Sequence, residues 1–268
     1  MRYKLFVSDY DHTLGEAPKN DIDSETLSAI NKFIEKGGIF VVCSGRETSS
    51  ITKILRKCKL KGLVASFQGA RISDIETGEY IFNGGLSYAQ AMEVLKEMEN
   101  TGLTALGYGE NEIFYPKKDI YVDIYQRNVD IDGRVADIEE ELRKQEGNVA
   151  KICFLGDDSL IDKIAFEMNE KFKDKNIRFN SGAPFLLEAI NTECGKGQAV
   201  RFIANYYNIP LDQVITVGDS TNDIDLINGE WHGVAVGDGR EELKAVAKEV
   251  TVPFNQKPIK FLLEKYCL

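Results

Sequence analysis

Two acidic hexapeptides carry most of the chemistry this chain can offer. Asp9-Tyr10-Asp11-His12-Thr13-Leu14 follows the apolar run Leu5-Phe6-Val7, and Gly218-Asp219-Ser220-Thr221-Asn222-Asp223 follows Val214-Ile215-Thr216-Val217. Each reads as a buried strand running into an acidic loop. In an open α/β sheet, ligands bind where the carboxyl ends of parallel strands meet their loops. If the two strands are neighbours, Asp9, Asp11, Asp219 and Asp223 converge on one spot. Four carboxylates repel one another unless a cation sits among them. Oxygen donors without His or Cys point to Mg²⁺.

Residues two apart in an extended segment share a direction, so Asp9 and Asp11 can serve one reacting group. One would act as nucleophile and the other as proton donor. The same D-x-D triplet also suits a solvated turn. Ser44, in Ser44-Gly45-Arg46 after Ile39–Val42, suits an anion held by a hydroxyl and backbone amides, and equally a helix N-cap. Lys196 lies between Gly195 and Gly197 just before a helix. Glycines there let backbone and ammonium approach a ligand closely, although a surface lysine in a loop fits the same spacing. Asp223 alone is explained by a helix dipole, but that leaves Asp219 without a reason.

The elements that must position these groups alternate strand and helix at both ends of the chain. Helices are expected from Ser24, with Leu27, Ile30 and Ile34 on one face, and over Thr48–Lys57. Strands are expected at Ile39–Val42 and Leu63–Ala65, with a hairpin over Ile72–Phe82 turning at Glu76-Thr77-Gly78. The middle changes rhythm. A helix is expected over Ser87–Glu99, strands at Leu103–Leu106, Ile113–Tyr115 and Ile120–Tyr125, and helices over Val135–Gln145 and Ser159–Phe172. Strands follow near Lys151–Leu155, Ile177–Phe179 and Phe185–Ile190. The first rhythm returns with a helix over Gly197–Tyr207, strands at Val214–Val217, Gly233–Val236 and Glu249–Val252, and helices at Ile224–Asn228, Arg240–Ala247 and Pro258–Tyr266. Asn83-Gly84-Gly85 and Ser181-Gly182-Ala183-Pro184 have linker composition. The expected architecture is α/β: a Rossmann-like doubly wound parallel core over 1–83 and 185–268, interrupted by an α+β insert over 84–184 that covers the Asp9 site as a lid.

The 268 residues suffice for one large domain or two smaller ones. A net charge of −10 argues against nucleic acid and against an anionic membrane surface as partners. Five scattered cysteines without a CxxC spacing suit reduced thiols and a cytoplasmic location. The start carries no signal-peptide pattern, and no apolar run approaches the length of a membrane span. With His12 and His232 the only histidines, a His-rich zinc site is not expected. Tyr108, Phe114, Tyr115, Tyr121 and Tyr125 are candidate ligand contacts in the insert, but their strand-like spacing suits core positions better.

Taken in order, the four motifs resemble those of the haloacid dehalogenase superfamily, and specifically a Cof-type phosphatase with a C2B cap. Asp9–Leu14 matches its D-x-D-G-T-L motif, Ser44-Gly45-Arg46 its second, Lys196-Gly197 its third, and Gly218–Asp223 its G-D-x-x-N-D motif. The insert falls between the second and third, where that cap sits. His12 stands where glycine is usual, and Gln68-Gly69-Ala70 where Asn-Gly-Ala is common. The resemblance implies a Mg²⁺-dependent phosphoric monoester hydrolase acting on small phosphorylated metabolites through an aspartyl-phosphate. Asp9 would be the nucleophile and Asp11 the acid/base. Asp9, the Asp11 backbone carbonyl and Asp219 would hold the metal. Ser44, Gly45 and Lys196 would hold the phosphoryl oxygens, with Asn222 near the substrate and Asp223 in support. A sugar phosphomutase on the same scaffold is the alternative. A non-catalytic phospho-regulatory module is a third reading, against which Asp11 and the insert speak. A monomer or weak homo-oligomer is expected.

Overall fold

The chain opens with β1 (Leu5–Ser8), whose four residues are all buried. A strand covered on both faces needs a continuous apolar run rather than an alternating one. The structure, a computed structural model, describes every residue except 17, 18, 110, 111, 130, 146 and 147, and only the backbone of 182 and 183. Helix α1 (Ser24–Glu35) follows, its N-terminus capped by the Asp23 carboxylate on the amides of Glu25 and Thr26. Its buried face is Ala29, Ile30 and Phe33. Ile34, expected on that face, is exposed because Phe33 fills the place instead. Strand β2 (Ile39–Cys43), helix α2 (Thr48–Lys57), β3 (Leu63–Ser66) and the hairpin β4 (Arg71–Asp74) and β5 (Tyr80–Asn83) complete this stretch.

The chain divides into two compact units, and the second runs from Phe82 to Cys194. It contains α3 (Tyr88–Met98), β6 (Thr104–Tyr108), β7 (Ile113–Tyr115), α4 (Ile120–Val129), β8 (Gly133–Val135), α5 (Ile138–Arg143), β9 (Ile152–Leu155), α6 (Asp158–Phe172), β10 (Ile177–Ala183) and β11 (Leu186–Asn191). Its sheet has the order β10-β11-β9-β6-β7-β8. Ile152 and Phe154 of β9 and Leu187 and Ala189 of β11 join a core with α3 and α6. The alternate residues, Lys151 and Glu188, form a buried ion pair at 2.5 Å. The Tyr108 and Tyr125 hydroxyls bond each other beside them, and Lys151 Nζ lies 5.2 Å from the Tyr108 ring centroid. Tyr108, Phe114, Tyr115 and Tyr125 are therefore interior residues of this unit, and Tyr121 is half-buried.

Three expectations need correction here. Ile120–Tyr125 is helical, not extended. The alternation Ile120, Val122, Ile124 imitates a strand, but the Asp119 carboxylate accepts the Val122 amide at 3.0 Å and starts a helix that buries Val122 and Tyr125. The helix expected over Val135–Gln145 shortens to α5, because residues up to Val135 pair with β7 as β8. Ser181–Pro184 is not a linker. It lies at the turn of the β10–β11 hairpin, where Ser181 faces Leu187 across a bulge. A boundary at 184 would separate the two strands of that hairpin. The second unit instead ends at Cys194.

The remaining elements are α7 (Lys196–Tyr206), β12 (Val214–Gly218), α8 (Ile224–Ile227), β13 (His232–Ala235), α9 (Glu241–Lys244), β14 (Glu249–Val250) and α10 (Pro258–Tyr266). With Met1–Ile81 they make the first unit. Its eight-stranded sheet has the order β14-β13-β12-β1-β2-β3-β4-β5. The strands from β14 to β3 run parallel, and β4 antiparallel to β3. The chain winds outward from β1 through β2 and β3, then returns on the other side through β12, β13 and β14. The reversal lies between β1 and β12, which is where a doubly wound sheet opens a ligand crevice. All five cysteines are buried, and among the described residues no helix is long and apolar enough to cross a membrane.

The far edge of this unit is pinned by one carboxylate. Glu249 accepts from Tyr266 at 2.6 Å, Lys265 at 2.9 Å and His232 Nε2 at 2.9 Å. Burial works against its charge, but these three bonds outweigh it and hold its pKa below the ordinary glutamate value. A depressed folded pKa contributes stability above the unfolded pKa and loses it as pH falls. Glu249→Gln is therefore expected to be less stable than the parent at pH 7. The difference should shrink as the pH drops below the unfolded glutamate value of about 4.3, read as urea midpoints across a pH series.

Candidate active site

The site is built at the carboxyl ends of β1 and β12. The two strands pair in register, Leu5 with Val214 through Ser8 with Val217. The Asp9 amide extends the pairing by donating to the Val217 carbonyl at 2.9 Å. Asp9 and Asp219 thus emerge from adjacent strands at the same level. The carboxylates of Asp9, Asp219 and Asp223 each place an oxygen within 4.8 Å of the others.

Lys196, at the first turn of α7, reaches this cluster from a third direction. Its Nζ donates to Asp9 Oδ1 and to Asp223 Oδ1, at 2.5 Å each. The side chain is fully buried. Gly195 and Gly197 matter through close packing. The Gly197 amide donates to Asp225 Oδ2 at 3.1 Å, and a Cβ on Gly197 would lie 2.5 Å from the Asp225 carbonyl oxygen. Asp223 commits both oxygens: Oδ1 takes Lys196, and Oδ2 accepts the amides of Asp219 and Ser220 at 3.0 and 3.2 Å. A Cβ on Gly218 would stand 2.5 Å from the Asp223 Cβ, so the loop can fold back this tightly only with glycine there. Thr13 Oγ1 donates to Asp219 Oδ1 at 3.3 Å.

Charge in this cluster does not balance. Three carboxylates and one ammonium sum to −2. Burial raises the Asp9 pKa, and repulsion from Asp223 reinforces it against the pull of Lys196. Asp219 is pushed up to about 6, first by burial and then by Asp223. Burial works against the Lys196 charge, but Asp223 and Asp9 outweigh it and hold the ammonium charged. Hard oxygen donors, close spacing and a deficit of two positive charges all fit a divalent cation. Asp223 has both oxygens engaged, so Asp9 and Asp219 are the carboxylates best placed to ligate it.

The other expected residues fall around this centre. Ser44 is buried at the end of β2, where its amide donates to the Ala65 carbonyl at 2.9 Å and its hydroxyl accepts the Arg46 amide at 3.2 Å. Gly45 lies under the Gln68 side chain, whose amide nitrogen would be 2.6 Å from a Cβ at that position. Asn222 is exposed on the loop after β12. Asp11 corrects the expectation of four converging carboxylates. It is not in the cluster of three, and both its oxygens are bound by Arg46, which draws the side chain toward the β2 loop. His12 has φ 55°, the left-handed conformation that glycine adopts without strain. Its ring is largely exposed and meets Phe254 edge-on at 6.2 Å.

Two features escaped the sequence reading. Arg46 was visible as part of Ser44-Gly45-Arg46, but the pattern does not say what its guanidinium holds. Phe67, Gln68 and Gly69 take φ values of 50°, 57° and 90° in succession, and the Gln68 Oε1 is buried without a hydrogen-bond partner. Backbone held in sparsely populated regions collects at functional sites. The departure at Gln68 was the one signal of it.

Comparison with known proteins gives the same picture. Residues 6–262 match the family model described as haloacid dehalogenase-like hydrolase. The phosphatase YwpJ of Bacillus subtilis is 25% identical over 283 residues, covering 97% of this chain and 99% of that protein. A haloacid dehalogenase-like hydrolase from Bacteroides thetaiotaomicron superposes with a TM-score of 0.84 at 24% identity, covering 98% of this chain and 99% of that one. A sugar phosphatase of subclass IIB of this superfamily gives 0.81 at 19% identity, with 98% of each chain covered. With its motifs at the carboxyl ends of β1, β2 and β12 and the family model spanning nearly its whole length, the chain belongs to the haloacid dehalogenase-like hydrolases.

Proposed function

We propose that the protein is a Mg²⁺-dependent phosphatase of small phosphorylated metabolites, of the Cof type, with Phe82–Cys194 as its C2B cap. The observation that carries this reading is the buried Lys196 ammonium shared by Asp9 and Asp223, with Asp219 alongside. An anionic nucleophile must approach an anionic ester, and that approach requires concentrated positive charge beside a carboxylate of fixed orientation. The mixed α+β make-up of the second unit and the fold likeness to a subclass IIB protein support the finer assignment.

In this mechanism an Asp9 oxygen attacks phosphorus and forms an aspartyl-phosphate. Asp11 protonates the leaving ester oxygen, then takes a proton from the water that attacks the intermediate. The Ser44 hydroxyl, the Gly45 backbone and the Lys196 ammonium hold the phosphoryl oxygens, with Asn222 at the substrate. Asp223 keeps Lys196 and the amides of the β12 loop in place. When bound by Asp9, the Asp11 carbonyl and Asp219, Mg²⁺ supplies Lewis-acid polarisation and neutralises charge at the phosphoryl group. Because phosphoryl transfer passes through a loose transition state, these positioning and electrostatic effects make up most of the catalysis. In this reading the second unit carries the discrimination among substrates.

The direct test is a panel of phosphorylated sugars, nucleotides and cofactors assayed with Mg²⁺ and with EDTA. Metal-dependent release of phosphate supports the reading, and activity indifferent to EDTA contradicts it. Asp9→Asn keeps the side-chain volume but is a poor nucleophile, so it should lose turnover while its circular dichroism stays that of the parent. Near-normal turnover in that variant would exclude the covalent route. Asp11→Asn should slow turnover by roughly 10²–10⁴-fold, the usual worth of general acid–base catalysis.

Removing the second unit tests the cap. If a trimmed first unit folds by circular dichroism, it should still hydrolyse p-nitrophenyl phosphate with Mg²⁺ and lose its discrimination among metabolites. An unchanged substrate ranking would assign specificity to the core loops instead.

A further inference from the structure

The guanidinium of Arg46 is held on every edge by the loop after β1. Nε and Nη2 donate to Asp11 Oδ2 and Oδ1 at 2.9 and 2.6 Å. Nη1 donates to Asn20 Oδ1 at 2.8 Å. The Tyr10 ring lies against it, 4.8 Å from guanidinium carbon to centroid. The Arg46 backbone is equally fixed: its amide donates to Ser44 Oγ at 3.2 Å, and its carbonyl accepts the Phe67 amide at 2.8 Å. A two-bond fork imposes the direction and the plane of a carboxylate, which a lysine ammonium does not.

Stability does not account for this arrangement. The Asp11 side chain is 41% exposed, so solvent screens much of the attraction between the two charges. Geometry is what the fork adds.

We propose that Arg46 is a positioning residue, which holds the Asp11 carboxyl group in the orientation from which it exchanges a proton with the substrate. This rests on the phosphatase reading above. In the first half-reaction an Asp9 oxygen bonds to phosphorus and the ester P–O bond breaks. The electron pair of that bond goes to the leaving oxygen, which takes the proton of Asp11. Asp11 leaves the step as a carboxylate, the form the fork receives. In the second half-reaction Asp11 takes a proton from water as the water oxygen bonds to phosphorus and the Asp9–phosphorus bond breaks. An unheld, half-exposed aspartate samples several rotamers, and a misplaced proton donor forfeits much of its rate advantage. Tyr10 and Asn20 keep the guanidinium anchored if one Asp11 oxygen turns to the ester.

The leaving group tests this. kcat/KM reports the steps up to departure of the leaving oxygen, and a basic alkoxide needs the Asp11 proton more than p-nitrophenolate does. Wild type, Arg46→Ala and Arg46→Lys are compared with Mg²⁺ on esters running from p-nitrophenyl phosphate to a simple alkyl phosphate. The alkyl ester should lose about 10–100-fold in kcat/KM, part of the full acid–base contribution, and p-nitrophenyl phosphate less than about threefold. In an Asp11→Ala background, Arg46→Ala should add no further loss, because its effect passes through Asp11. Melting curves check folding, and Arg46→Lys, which keeps the charge and loses the fork, carries the test if the alanine variant does not fold. An equal fall across all esters, or a full additional loss in the Asp11→Ala background, would overturn the assignment. A wild type that hydrolyses none of the esters would sink the phosphatase reading, and this inference with it.

Discussion

One buried ammonium organises the first unit's functional end. Lys196 is withdrawn from water completely, and its Nζ has two carboxylate partners at 2.5 Å. Lysine is almost never fully buried unless paired. The effective cost of dehydrating such an ion is several kcal/mol, and only close opposite charge offsets it. The two partners come from different places, Asp9 from the end of β1 and Asp223 from the turn after β12, while Lys196 itself begins α7. Three segments distant in the chain are therefore tied at one atom. The pairing is also incomplete, since three carboxylates outnumber the ammonium. Burial first, and then repulsion from Asp223, raises the pKa of both Asp9 and Asp219.

The aspartates that create that deficit are held in place by backbone hydrogen bonds. Asp9 continues the β1–β12 ladder through its own amide, and Asp223 is fixed by two backbone amides as well as by Lys196. The doubly wound order places the reversal between the same two strands, so the crevice and the charge cluster coincide. A functional constellation held on strand ends is more exact than one held on free loops. Left-handed backbone lies beside these groups, at His12 and at Phe67-Gln68-Gly69.

The second unit has its own core and its own buried charge. Its sheet packs one face on α3 and α6. The alternate residues pair Lys151 with Glu188 and set Lys151 and Cys153 beside Tyr108, whose hydroxyl bonds that of Tyr125 of α4. Period-two alternation along β9 and β11 sorts apolar residues to one side and the ion pair to the other. A buried ion pair of this kind adds little net stability, because dehydrating both charges offsets their attraction.

The placement of Asp9, Ser44 and Asp219 after strands and of Lys196 at a helix start was legible in the chain, as was the interruption of the core by a second α+β segment. Each depends on local signals: apolar runs that end in polar turns, and glycines beside a lysine. The reading failed where one local pattern serves two structures. Ile120, Val122 and Ile124 alternate as in a strand, yet the Asp119 cap made them a helix. Ser181–Pro184 has the composition of a linker and became a hairpin turn, because strands on either side found each other. The carboxylates show the same division. Residue types and spacing determined that Asp9, Asp11, Asp219 and Asp223 would stand at strand ends. Tertiary structure alone decided that Lys196 takes Asp9 and Asp223, while Arg46 takes Asp11 from 35 residues away. The physical reason is that ion pairing follows distance and burial in space, and separation along the chain carries neither.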